Sequence, residues 1–248
     1  MSAKTKAKLL SLQDRQSLRP IRVSASALAN VASCTTRAAL HQLGYQAKHL
    51  NAPQFSGQLG HRALEAWLNG TPADEALELF DRAYRPWAEA NHEEVDERLE
   101  PNNCLKILRV YFRRKTGNLS WRPLATEEPF EVPLGDGVDL IGVFDVRGVW
   151  DDPSHSAGQN LEVVVEHKFT GRVSSLWTDG YIEDPQLTSY WFAHQSLYPD
   201  KPLFAVVVNA IEFSKLPLSD KPCREHGRPF SSCYQMGTHA RFQQFVTQ

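Results

Sequence analysis

Cysteine is scarce in this sequence: the 248 residues contain four, Cys34, Cys104, Cys223 and Cys233. So few thiols, so widely scattered, exclude the disulfide framework of a small secreted domain and point to a reducing, cytoplasmic compartment. Long apolar runs are missing too. No stretch approaches the 18 or so residues that would span a bilayer, so no membrane association is expected. Lys4, Lys6 and Lys8 are not followed by the apolar core of a secretory leader. Charge of one sign is also lacking, since 27 basic and 29 acidic residues leave a formal net charge of −2. That balance excludes a protein that coats nucleic acid, but not one that grips a short stretch of it through a local patch. There is no internal repeat and no low-complexity tract. What is present is a hydrophobic fraction of 42%, enough for one well-packed core in a chain of this length.

Residues 1–20 are polar and basic and read as a flexible arm ending at Pro20. Residues 21–248 read as a single domain. The pattern predicts a helix over 24–43, capped by Ser24 or Ser26 and stopped by Gly44, and a second over 57–69, where Leu64, Trp67 and Leu68 recur at helical spacing. Further helices are predicted over 73–92 and 102–115, a helical insertion at about 71–120. Arg109, Arg113, Arg114 and Lys115 form a basic cluster on the last of these, read first as a solvated face. From residue 126 the texture changes to strands, over 126–134, 138–149 and 161–169, with Gly135-Asp136-Gly137 as a hairpin turn. A helix over 183–198 and a buried strand over 203–213 complete the order.

The chemistry concentrates between residues 138 and 169. Leu161-Glu162-Val163-Val164-Val165 is an apolar strand that ends in Glu166-His167-Lys168. Strand side chains alternate, so Glu166 and Lys168 share a face, roughly 6–7 Å apart along it. Asp145 interrupts the preceding strand in the same way, after Val143 and Phe144. If the two strands are neighbours, Asp145 and Glu166 meet on one surface. Two carboxylates beside a lysine suit a hard divalent cation. A surface ion pair is the plainer account of Glu166 and Lys168 taken alone. His61 and Glu65 lie one turn apart on one helix, as do Gln186 and Tyr190 on another.

In chain order these pieces are Gly60-His61-Arg62-Ala63-Leu64-Glu65, Gly142-Val143-Phe144-Asp145, Glu166-His167-Lys168 and Gln186-Leu187-Thr188-Ser189-Tyr190. They resemble the motifs of the PD-(D/E)XK nuclease superfamily, and within it the RecB-like branch that includes phage and CRISPR-associated nucleases. The match covers roughly residues 24–213. It implies an α/β fold with a restriction-endonuclease-like core, a small mixed sheet flanked by helices. It implies a metal-dependent deoxyribonuclease, an exonuclease above all, in DNA repair, recombination or phage DNA processing, with a partner protein from such a system. Magnesium or manganese would be held by His61, Asp145, Glu166 and the His167 carbonyl. Asp145, Glu166 and Lys168 would be catalytic, with Gln186, Tyr190 and Glu65 contacting DNA or supporting the site. A non-catalytic DNA-binding scaffold and a structure-specific endonuclease are the alternatives.

Many RecB-like nucleases also carry an iron–sulfur cluster, on one cysteine before the histidine helix and three after the last strand. Cys34 stands in the first position, but only Cys223 and Cys233 follow, so no cluster is expected. Cys223, His226, Cys233 and His239 fit no common zinc spacing and are expected to be plain side chains.

Overall fold

The computed structural model describes residues 21–42, 50–117, 119–151, 160–171, 177, 179–181, 184–213 and 242–247. The predicted basic arm and the Cys223–His239 group lie outside them. The chain opens with a short strand β1 (Ile21–Ser24), then helices α1 (Ala25–Ser33) and α2 (Thr35–Gln42). The single helix expected over 24–43 is therefore divided at Cys34, and its first turn is preceded by a strand. Ile21 and Val23 are β-branched, and β1 finds a long-range partner at the start of the central strand. Ser24 ends the strand and caps the helix, its Oγ accepting from the Ala27 N–H at 3.1 Å.

Helix α3 (Ala52–Leu68) begins five residues before the expected start, because Asn51 and Gln54 form a reciprocal capping box. It packs with α4 (Ala73–Ala90) and α5 (Pro101–Lys115). Leu64, Phe80, Tyr84, Ile107 and Tyr111 make one apolar core with Ile211 from the sheet and Phe213 just beyond its strand, and Trp67 stacks on Phe112 with centroids 4.9 Å apart. Within α5, Cys104 is fully buried in this core, while Arg109 and Arg113 are exposed.

The remaining elements are β2 (Trp121–Gly135), β3 (Val138–Trp150), β4 (Glu162–Thr170), α6 (Pro185–Leu197), β5 (Leu203–Glu212) and β6 (Phe242–Thr247). Together with β1 these strands form a six-stranded mixed sheet flanked by helices. β2 starts five residues before the expected position because the buried Trp121 pairs with Trp150. β6 was not foreseen; it pairs antiparallel with β5, from which it is far removed in sequence. One face of the sheet packs on α6 through Phe144, Val164 and Val208 against Leu187 and Tyr190. The other packs through Val146, Val163 and Val165 against Trp121 and Leu68.

What positions the site is the pairing of β3. β2 runs antiparallel along its whole length. Its other edge takes β1 at Val138–Ile141 and β4 at Val146–Val149. Between Gly142 and Asp145 that edge has no strand partner among the described residues. β4 continues past this point paired only with β5, through Glu166↔Val208 and Lys168↔Ala210. The sheet thus splays open where Asp145 and Glu166 sit. Gly142 is required there by packing, since a Cβ on it would run into the Phe130 ring that covers it from β2.

A second polar network ties α6 to the sheet. Arg147 donates to Glu128 Oε2 at 2.7 Å and Glu162 Oε2 at 3.1 Å. His194 Nε2 lies 2.9 Å from the same Glu162 oxygen, and the Tyr198 hydroxyl donates to Glu128 at 2.6 Å. Burial opposes ionisation of Glu128 and Glu162, but their hydrogen bonds to Arg147, Tyr198 and His194 win and hold both below the usual carboxylate range. Their contribution to stability is therefore present above the unfolded carboxylate pKa and is lost as pH falls through the folded one. Arg147→Ala leaves the buried Glu162 and the half-buried Glu128 without their guanidinium, with only His194 and Tyr198 still reaching them. It is expected to cost about 3–5 kcal/mol and to lower the thermal midpoint by roughly 10 °C at neutral pH, with a smaller loss near pH 3, as calorimetry on both proteins would show.

Candidate metal centre

The last paired residues of β3 and β4 are Val146 and Val165, so Asp145 faces Glu166 one step further on. On the other side of β3, Thr126 pairs with Val146 and Glu128 with Phe144, which leaves Glu127 opposite Asp145. Three carboxylates, Glu127, Asp145 and Glu166, therefore stand in a row across three adjacent strands. The regular alternation of β3 changes at this row. Phe144 and Val146 would share a face on a regular strand, yet Phe144 packs with α6 and Val146 with the opposite cluster. Glu127 has a left-handed backbone, φ 47°, where this change occurs.

Helix α3 brings His61 over the row, its Nδ1 3.4 Å from Asp145 Oδ2. Gly60 makes the approach possible, because a side chain there would collide with the Phe169 ring beneath the helix. One donor atom from each of His61, Glu127 and Asp145 lies within 4.8 Å of the others. The His167 N–H donates to Asp145 Oδ2 at 2.8 Å, filling the gap where the strands part. Its imidazole turns away into a buried string. The Asn209 amide nitrogen lies 2.8 Å from both His167 Nδ1 and the Tyr111 hydroxyl, and donates to each.

Glu166 is buried; Lys168 ion-pairs with its Oε1, while its Oε2 has no hydrogen-bond partner. The Lys168 ammonium also donates to Gln186 Oε1 at 2.8 Å, and the Gln186 amide nitrogen donates to the Tyr190 hydroxyl at 2.8 Å. Asp184 places this pair, accepting from the Gln186 and Leu187 N–H groups as the cap of α6.

Burial, and next the Glu166 charge, push the Asp145 carboxyl well above its ordinary range. Burial, then Glu65 and Glu166, raise Glu127. Burial, with Lys168 adding to it, lowers His61 to about 4, so its imidazole is neutral at pH 7 and keeps a lone pair. Crowded carboxylates, an orphaned buried carboxylate oxygen and a neutral imidazole are the donor set of a divalent cation.

A family model of the PD-(D/E)XK nuclease superfamily matches residues 22–231. The chain belongs to that superfamily. A search of the curated proteins found no match. Superfamily membership makes the mixed sheet with flanking helices the nuclease core, and it implies phosphodiester hydrolysis supported by a divalent metal. No helix among the described residues is long and apolar enough to cross a membrane.

The structure therefore brings His61 next to Asp145, and sets Glu166, Lys168, Gln186 and Tyr190 in a connected chain beside them. Glu65, one turn along α3, acts on the group through the charge of Glu127 rather than through a contact to Asp145 or Glu166. Of the cysteines, Cys34 is exposed and Cys104 buried in the helical core, and both are free thiols. Glu127 was missed by sequence reasoning, although counting back through the hairpin from Gly135-Asp136-Gly137 would have placed it opposite Asp145.

Proposed function

We propose that this chain is a metal-dependent DNA exonuclease of the RecB-like kind, acting in DNA repair, recombination or phage DNA processing. The observation that carries the reading is the juxtaposition of the His61–Asp145 pair with the chain Glu166–Lys168–Gln186–Tyr190 where the sheet splays. A magnesium or manganese ion held by His61, Asp145, Glu166 and the His167 carbonyl would polarise a phosphoryl oxygen and acidify a water. The His167 N–H fixes the Asp145 carboxylate, and neutral His61 offers its lone pair. Lys168 orients the attacking water and offsets charge on the phosphate. Gln186 and Tyr190 hold that ammonium in place. The order of the four motifs supports the RecB-like branch and with it action at DNA ends.

The test is incubation of the protein with end-labelled linear DNA and covalently closed circular DNA, with magnesium, manganese or chelator. Release of labelled nucleotides from linear DNA with the circle left intact is the expected result, abolished by chelator. Nicking of the circle would instead support an endonuclease, and no cleavage with either metal a DNA-binding scaffold.

A further inference from the structure

We infer that Glu127 is a ligand of the divalent ion at this centre, contributed by β2 to the His61–Asp145 pair. The inference rests on the metal-dependent reading of the same site and adds a donor that lies outside all four motifs. Glu127 stands opposite Asp145 across the hairpin, and its donor atom is within 4.8 Å of those of His61 and Asp145. Two donors on one hard divalent ion sit at most about 4.2 Å apart, twice a bond of roughly 2.1 Å. Three donors cannot all sit at that limit, since neighbouring donors on an octahedral ion lie about 3 Å apart, so side-chain rotation has to draw the three atoms together by up to about 2 Å.

Among the described residues Glu127 has no competing use. Its neighbour Glu128 is taken by Arg147 and Tyr198. Glu127 itself has no ion-pair or hydrogen-bond partner among the described residues. Its left-handed backbone is uncommon for a glutamate and is the local departure that sets its side chain beside Asp145 instead of continuing the strand. A second observation points to a cation at the same place. Glu166 is buried, and its Oε2 lacks a partner. Lys168 holds the other Glu166 oxygen, so the donors that the resting chain presents together are His61, Asp145 and Glu127. One ammonium cannot balance the row of three carboxylates, and a divalent ion can.

The experiment is titration of the full chain with Mn2+ alone, followed by calorimetry and by the spin-resonance signal of the free ion. Glu127→Gln keeps the side-chain shape and removes the charge. Glu127→Asn additionally suits the left-handed backbone, so folding is preserved if the glutamine variant is unstable. Both are expected to weaken Mn2+ binding at least ~10-fold, since ligand charge sets affinity at such sites. Glu131→Gln, on the exposed Arg22 pair of the same strand, is expected to bind as wild type. Binding by both Glu127 variants within twofold of wild type overturns the inference while leaving the metal-dependent reading intact. If wild type takes up no Mn2+, or Asp145→Asn binds as well as wild type, the reading of the site itself fails and the inference falls with it.

Discussion

Lys168→Ala is expected to lower the cleavage rate by at least ~100-fold while leaving Mn2+ affinity within a few-fold of wild type. The size follows from the loss of one preorganised charged group beside a phosphate on which negative charge develops, a term that usually contributes two orders of magnitude or more. In this fold the ammonium is held between Glu166 and Gln186, with Tyr190 behind the glutamine, so little reorganisation is needed as charge builds. Lysine is no ligand, and its removal frees Glu166 Oε1, so metal binding survives. DNA affinity is expected to fall only modestly, because one phosphate contact among several is lost. Single-turnover cleavage and a salt-matched binding assay separate the two effects. Undiminished cleavage by the variant would take Lys168 out of the mechanism.

Asp145→Asn is expected to abolish cleavage and to weaken metal binding severely, yet to make the metal-free protein more stable at pH 7. Asp145 is raised well above its ordinary pKa, by burial first and by Glu166 next. Its ionised form is therefore disfavoured in the metal-free fold. The penalty is absent below the unfolded pKa, grows as pH rises, and is complete above the folded pKa. Asparagine removes the charge and retains an acceptor for the His167 N–H. Each ~1 kcal/mol relieved raises the thermal midpoint of a domain this size by roughly 2–4 °C. The advantage should vanish near pH 3. Saturating Mn2+ should reverse the ranking, because an ion at about 100 times its Kd stabilises wild type by about 2.7 kcal/mol and gives the variant almost nothing. Thermal melts at two pH values, with and without Mn2+, test this; a metal-free variant less stable than wild type at pH 7 would contradict the assignment of Asp145 as a strained, buried charge.

Where side-chain period decides structure, the elements could be read directly. The apolar run of β5 and the alternation around the Gly135-Asp136-Gly137 hairpin lie where expected, within a few residues. The two misplaced boundaries have separate causes, one local and one long-range. α3 starts early because of a capping box, and β2 starts early because Trp121 buries against a strand that follows it in sequence. β1 and β6 escaped because each is short and owes its conformation to a partner strand far away in sequence.

The sequence by itself determined the strand that ends in Glu166-His167-Lys168, the aspartate that closes Gly142-Val143-Phe144-Asp145, and the helical turns carrying His61 and Gln186/Tyr190. Local periodicity sets those faces, and the order of the motifs names the superfamily. Only the tertiary structure decided that β1 and β4 leave a gap on one edge of β3, that the His167 N–H turns to Asp145 in that gap, and that α3 carries His61 over the carboxylate row. Pairing between distant strands is a matter of register, set by packing on both faces of the sheet, and a local residue pattern does not encode which carboxylates it will bring together.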